Sequence, residues 1–211
     1  MNRITFLIDG FNLYHSLIDA SDDLNGQSTK WLNISSLCRS YLSMLGKNKL
    51  ESIYYFTAIP EHYSDTEPGK IERQAKYNRC LKTTEIIIEK GKFKPRHIKC
   101  KLCHMDFIRH EEKETDVAIA TKLLELAYSN LLDTVILVTG DTDLIPAVKC
   151  FQKYFTNKII LFAFPYRRMN EEIKVLCPDS FRIKRNQYLK HQFDNPFVLS
   201  DGTKINKPDS W

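Results

Sequence analysis

Four aspartates stand where strand-like patterns give way to turns or helices. Asp9 ends the apolar run of FLIDGFNLY (residues 6–14), Asp141 and Asp143 lie in TGDTD after Thr134–Val138, and Asp116 opens the helical pattern that follows KET. Each taken alone has a plain structural explanation. Asp9-Gly10 makes a turn with Asn12 as a cap, and Asp141 or Asp143 caps a helix with Pro146 in its first turn. Asp116 complements a helix dipole, an effect of only ~0.3–1 kcal/mol. Gathered in one pocket they demand more. Two carboxylates about 4 Å apart repel by roughly 4 kcal/mol at an effective dielectric of 20. Four carboxylates make six pairs, and even at wider spacing their summed repulsion approaches the whole stability of a domain, ~5–15 kcal/mol. Such a group needs protons or a cation. All-oxygen ligands select Mg²⁺ or Mn²⁺ over zinc, and those ions serve phosphate chemistry by activating water and stabilising a leaving oxygen.

The elements that must position these residues follow from periodicity. Period-2 or continuous β-branched runs predict strands at Ile4–Ile8, Ile53–Thr57, Glu85–Ile88, Thr134–Val138 and Lys158–Phe164. Helical patterns lie between them at Asn12–Ile18, Ile34–Leu45, Lys70–Leu81, Val117–Tyr128 and Ile145–Phe155. This alternation predicts an α/β fold, a mostly parallel sheet with helices on both faces. Ligands of such sheets bind outside the carboxyl ends of the strands, the edge at which the aspartates fall. Gly91–Glu112 lacks a helical period and reads as a hairpin-like insertion; Asn195–Trp211, with a turn at Asp201-Gly202, reads as a C-terminal strap.

With 43% hydrophobic and 27% charged residues, the 211-residue chain has the composition of a folded protein with one core and appended pieces. Only five uncharged residues separate Arg3 from Asp9, too few for a signal-peptide core, and the longest apolar stretch, Ile159–Phe164, is strand-sized. A cytoplasmic protein without a membrane partner is expected. The net charge of +5 is concentrated: from Leu144 onward twelve Lys/Arg face six Asp/Glu, and Lys90–Lys101 holds six Lys/Arg and no acid. Basic regions beside an acidic remainder suit a polyanion held against an acidic centre, although a solvated lysine-rich face looks the same in sequence.

IDGFN at Ile8–Asn12, KETDV at Lys113–Val117 and VTGDTDLIPAV at Val138–Val148 resemble, in order and spacing, the motifs of the NYN domain, the LabA-like branch of the PIN-like nucleases. The resemblance spans about Ile4 to Phe164, with GDxD after a strand as its most specific part. It implies a PIN-like, Rossmannoid sheet and a metal-dependent ribonuclease. Its acidic set maps onto Asp9, Asp116, Asp141 and Asp143, with Asn12 as a further catalytic residue and Thr139 as polar support. On that mapping Asp9, Asp116 and Asp141 hold one or two Mg²⁺ or Mn²⁺. Asp143 completes the shell or orients the attacking water, Asn12 positions Asp9 or the scissile phosphate, and Lys113 reaches a phosphate. Two positions depart from the pattern: Glu114 stands where many members have Gly, and Leu144 where many have Phe. Glu114 is either a fifth ligand or a solvated neighbour, the second being expected, and Leu144 is a tolerable core replacement. The domain is expected over residues 1–165, with the insertion at about 90–112 and a basic extension at 166–211 packed on it.

RNA is the expected partner. Lys90, Lys92, Lys94 and Arg96 with Phe93, the run Arg182–Lys190, and Arg167-Arg168 offer phosphate neutralisation and an aromatic for stacking. A homodimer is left open. Cys100-Lys-Leu-Cys103-His104 matches a haem attachment motif, but that chemistry belongs to exported proteins. A zinc knuckle would draw two of four ligands from Cys100 and Cys103, with no second pair at matching spacing; reduced structural thiols are the simpler reading. Three functions compete: an endonucleolytic ribonuclease, a non-catalytic RNA- or protein-binding module retaining an acidic pocket, and a metal phosphatase acting on small substrates. The complete acidic set favours the first over the second, and the basic flanks favour it over the third.

Overall fold

The computed structural model describes residues 1–43, 46, 48–59, 61 and 67–211. Its centre is β1 (Asn2–Asp9), paired in parallel with β2 (Asn48–Ala58) on one side and β5 (Thr134–Val138) on the other. β3 (Ile86–Lys99), β4 (Asp106–Lys113), β6 (Ile159–Phe164) and β7 (Phe181–Arg182) complete a seven-stranded sheet in the order β4-β3-β2-β1-β5-β6-β7, with only β3–β4 antiparallel. The sheet takes in residues on either side of the expected boundary at 165.

Helices α1 (Gly10–Asp22), α2 (Ile34–Leu42), α3 (Pro68–Leu81), α4 (Thr115–Tyr128) and α5 (Ile145–Tyr154) fall between the strands, followed by the short α6 (Glu171–Leu176) and α7 (Arg185–Lys190). The side-chain alternation of the central strands accounts for the two helical layers. Phe6 and Ile8 of β1, with Ile136 and Val138 of β5, join a core shared with Leu13 and Leu17 of α1 and Leu37 of α2. Leu7, Val135 and Leu137 point the other way, into a core shared with Leu123 of α4 and Val148 and Phe151 of α5. A sheet buried on both faces reads as a continuous apolar run, which is why TVILV is recognisable in sequence with both its ends correct.

The predicted strands and helices are all present, but several limits move, β2 for one beginning at Asn48 rather than Ile53. α1 runs past Ile18 to Asp22 and α2 ends at Leu42 with Ser43 as its C-cap, while the expected continuation through residues 44 and 45 lies outside the described residues. The larger correction concerns the insertion. Strand 85–88 does not stop before it: β3 pairs with β2 as far as Gly91 and then, unbroken, with β4 from Lys92 to Lys99. The hairpin is the prolongation of a sheet strand and therefore a ribbon anchored in the core. The C-terminal strap is a hairpin of β8 (Phe197–Val198) and β9 (Lys204–Ile205). Trp211 and Phe193 lie edge-on to Trp31, and the Tyr188 hydroxyl shares a 2.6 Å hydrogen bond with that of Ser16, tying the last residues to the α1 side of the sheet. Among the described residues no helix is long and apolar enough to cross a membrane.

Candidate metal centre

β1 is the strand from which the chain departs in both directions across the sheet, so its carboxyl end, with that of β5, opens the crevice where such folds bind ligands. Asp9 stands there, 4% exposed. It is indeed the cap of α1: its Oδ1 accepts from the Asn12 N–H at 2.9 Å. Its Oδ2 accepts from the Thr139 hydroxyl, also at 2.9 Å. Thr139 Oγ1 in turn accepts from the Asp141 N–H at 3.1 Å, and Asn12 Oδ1 from the Gly140 N–H at 3.2 Å. These bonds stitch the β1–α1 junction to the turn after β5. Asp141 caps the 3₁₀ turn Thr142–Leu144, its Oδ1 accepting from the Asp143 N–H at 2.9 Å. Asp116, in the first turn of α4, reaches the same place from the other side.

Carboxylate oxygens of Asp9, Asp116 and Asp141 all lie within 4.8 Å of one another, the group of three potential ligand residues that draws together among the described residues. Asp143 is exposed and outside that trio, although its charge bears on Asp116. Burial pushes the Asp9 carboxyl up to about 6 against the opposing hydrogen bonds from Asn12 and Thr139, with Asp116 and Glu112 adding to the rise. Asp116 is raised by burial and then by the charges of Asp141 and Asp143. Oxygen donors that hold excess negative charge in a partly dry pocket fit a hard divalent cation.

Glu112, which sequence reasoning passed over, is part of this electrostatic environment. It lies on β4, accepts from the Thr115 hydroxyl at 2.5 Å, and is raised by burial, with Asp116 contributing. Strand alternation was the available signal: Glu111 and Lys113 pair with each other on one face, leaving Glu112 for the other. Glu114 is the solvated neighbour, ion-paired to Lys94 at 2.9 Å. Its φ of 76° is in the left-handed region, which accounts for glycine being the common residue there in the resembled pattern. Glu114→Gly is therefore expected to raise stability by up to about 1 kcal/mol, since relief of that backbone conformation outweighs an exposed ion pair. Chemical denaturation of the two proteins checks it. Leu144, the other departure, is 1% exposed within the α4–α5 core.

The basic candidates divide. Lys90 and Lys92 are exposed on β3, while Lys94 and Arg96 of the same strand pair with Glu114 and Glu111. Lys113 pairs with Glu111. Arg167 and Arg168, expected to contact a phosphate, are turned to α1, where they pair with Asp23 at 2.8 Å and Asp19 at 2.5 Å. The carbonyl oxygen of Arg168 lies so close to Gly140 that a Cβ there would meet it at 1.8 Å, so Gly140 is what lets this turn rest on the site. Cys100 and Cys103 lie at the hairpin turn, where N–H groups of Cys103 and Leu102 lower the Cys100 thiol's pKa, and all six cysteines are free.

A family model for the NYN domain matches residues 3–183. The chain belongs to the NYN domain family. NYN domains fall within the PIN-like nuclease superfamily, and the acidic trio sits on the motifs by which this one resembles them. A crystal structure of a protein of unknown function from Vibrio parahaemolyticus shares the fold, with a TM-score of 0.55 at 18% identity over 87% of this chain and 93% of that one. No curated relative matches the chain.

Proposed function

We propose that this NYN domain is a divalent-metal-dependent ribonuclease that cuts RNA endonucleolytically in the cytoplasm. The observation that carries the proposal is the meeting of Asp9, Asp116 and Asp141 at the carboxyl ends of β1 and β5. These three would hold Mg²⁺ or Mn²⁺, whose chemistry is to polarise the phosphate and lower the pKa of water. The chain's own residues do the rest. Asn12 and Thr139 fix both oxygens of Asp9, so its carboxylate cannot swing when a charged substrate arrives. Thr139 and Gly140, through the Asp141 N–H and Asn12, lock the two halves of the site in register. Asp143, exposed and close enough for its charge to act on Asp116, would orient an attacking water. Glu112 adds negative charge that strengthens the demand for a cation. A cleavage assay on RNA and DNA, with and without chelator, tests the reading.

The second reading, a binding module with a retained acidic pocket, draws on the ribbon of β3 and β4, which carries Lys92, Lys94, Arg96, Lys99 and Lys101 away from the carboxylates. The two readings diverge under charge reversal. Lys92→Glu with Lys99→Glu is expected to weaken RNA binding and to flatten its salt dependence, the slope of log K against log salt falling by about 0.7 for each single-strand phosphate no longer neutralised. Titrations at several salt concentrations measure it. Under the ribonuclease reading these variants still cut at saturating RNA. Loss of all function there, with no effect from changing the aspartates, would favour the binding module.

A further inference from the structure

The exposed stripe at the start of α1 is occupied by rings that the core does not use. Leu13, Ser16, Leu17 and Ala20 form the buried face of the helix. Phe11 is 50% exposed and Tyr14 41%, with His15 next to Tyr14 in sequence and partly buried. Residues four apart are neighbours on a helix, and Phe11 and His15 meet edge-on with ring centroids 4.4 Å apart; the adjacent Tyr14 ring lies edge-on to His15 at 5.8 Å. The Lys30 ammonium lies 5.9 Å from the centre of the Tyr14 ring. Helical side chains lean toward the N-terminus of their helix. The N-terminus of α1 is the end capped by Asp9, so Phe11, two residues after Asp9, leans toward the carboxylate edge. The rings therefore begin at the Asp9-capped end of α1 and lead along the helix toward the Lys30 ammonium.

We infer that Phe11, Tyr14 and His15 with Lys30 form a stacking subsite for unpaired nucleobases, so that the substrate of this site is single-stranded RNA. This rests on the ribonuclease reading for its substrate. A strand whose phosphate lies at the carboxylates has its flanking base beside Phe11, and a half-open ring offers that base a face. Base–aromatic stacking tolerates any base, whereas a base inside a duplex has both faces covered by its neighbours. Lys30 supplies the charge a polyphosphate backbone needs at the far end of a site that is otherwise acidic. The same exposed rings would be a liability on a surface with nothing to cover them.

The test uses the Asp141→Asn protein in Mg²⁺, so that binding is read without cutting. The probe is an octaribonucleotide carrying 2-aminopurine between uridines, its affinity followed by anisotropy and its stacking by fluorescence quenching. Phe11→Ala is expected to weaken binding roughly 5- to 150-fold and to remove the quenching. Phe11→Tyr is expected to keep both, and the same strand annealed to its complement to bind more weakly. Because Phe11 is half exposed, the variants should melt like their parent by circular dichroism. Unchanged affinity and quenching in Phe11→Ala, equal affinity for the duplex, or no binding by the parent overturns the inference. A strand held and quenched through Phe11 that the wild type never cuts overturns the ribonuclease reading alone. Cutting by a wild type whose RNA binding ignores Phe11 does the reverse.

Discussion

Replacing Asp141 by Asn is expected to lower metal-dependent RNA cleavage by at least about 10³-fold, because stabilisation by a bound divalent ion is several kcal/mol and each 1.36 kcal/mol is tenfold in rate. The fold should persist. Asp141 caps the 3₁₀ turn through one oxygen, which accepts from the Asp143 N–H, and an asparagine caps equally well through its own Oδ1. What the substitution removes is one charge from the trio and one oxygen from its ligand set. Asp9→Asn should be as inactive but is the less clean variant, since Thr139 donates to the oxygen that an amide nitrogen would replace. Wild type and Asp141→Asn, purified identically and assayed side by side with and without chelator, separate this site from a contaminating nuclease. Equal cleavage by the two proteins, or an inert wild type across Mg²⁺ and Mn²⁺ titrations, would sink the ribonuclease reading.

The parts of this site legible in sequence are those carried by backbone position. A strand buried on both faces must end in a turn, and a carboxylate at that turn is at the ligand edge whatever else surrounds it, so Asp9 and Asp141 could be placed from the apolar runs before them. Asp116 could be placed from the helix it begins. Side chains whose role depends on direction could not. Arg167 and Arg168 follow β6 closely in sequence, but Asp23 at the C-cap of α1 and Asp19 within it draw the two guanidinium groups to themselves. Glu112 and Glu114 are two residues apart in one acidic run. Between them the chain leaves a strand and enters a left-handed residue, and only Glu112 bears on the carboxylates. Phe11 has the composition of a core residue, and its half-open ring follows from α1 starting directly after Asp9, which fixes the angular position of every later residue. The hairpin was recognisable by its lack of helical period, while its continuity with β3 was not, since nothing in EKGKFK marks where one pairing partner gives way to another.

The protein freed of metal is expected to lose stability as pH rises from about 4 to about 6, and to regain it when Mg²⁺ or Mn²⁺ is added at neutral pH. The Asp9 carboxyl lies at about 6 in the folded chain, against an ordinary value of 3.8. Between those values the folded state binds more protons than the unfolded one, and stability falls with pH wherever that holds. The displacement corresponds to about 3 kcal/mol at pH 7, since one pKa unit is 1.36 kcal/mol. For a chain of this length that is a difference of roughly 6–12 °C in Tm. Asp116 and Glu112 are raised too and act in the same direction. His191 acts against them, since burial lowers its pKa and the unfolded state gains the proton first as pH falls. Its contribution cancels when wild type is compared with Asp9→Asn, so the quantity to measure is the difference between their melting temperatures, expected to shift in favour of Asp9→Asn from pH 4 to pH 7 without metal. A cation reverses the penalty by binding the ionised form: at a hundred times its dissociation constant it stabilises by about 2.7 kcal/mol. That gain should appear in wild type at pH 7, fade near pH 4 where the Asp9 carboxyl is protonated, and be absent from Asp9→Asn at both. A wild type whose melting temperature ignores both ions at pH 7 would leave the acidic trio without the ligand its charge requires.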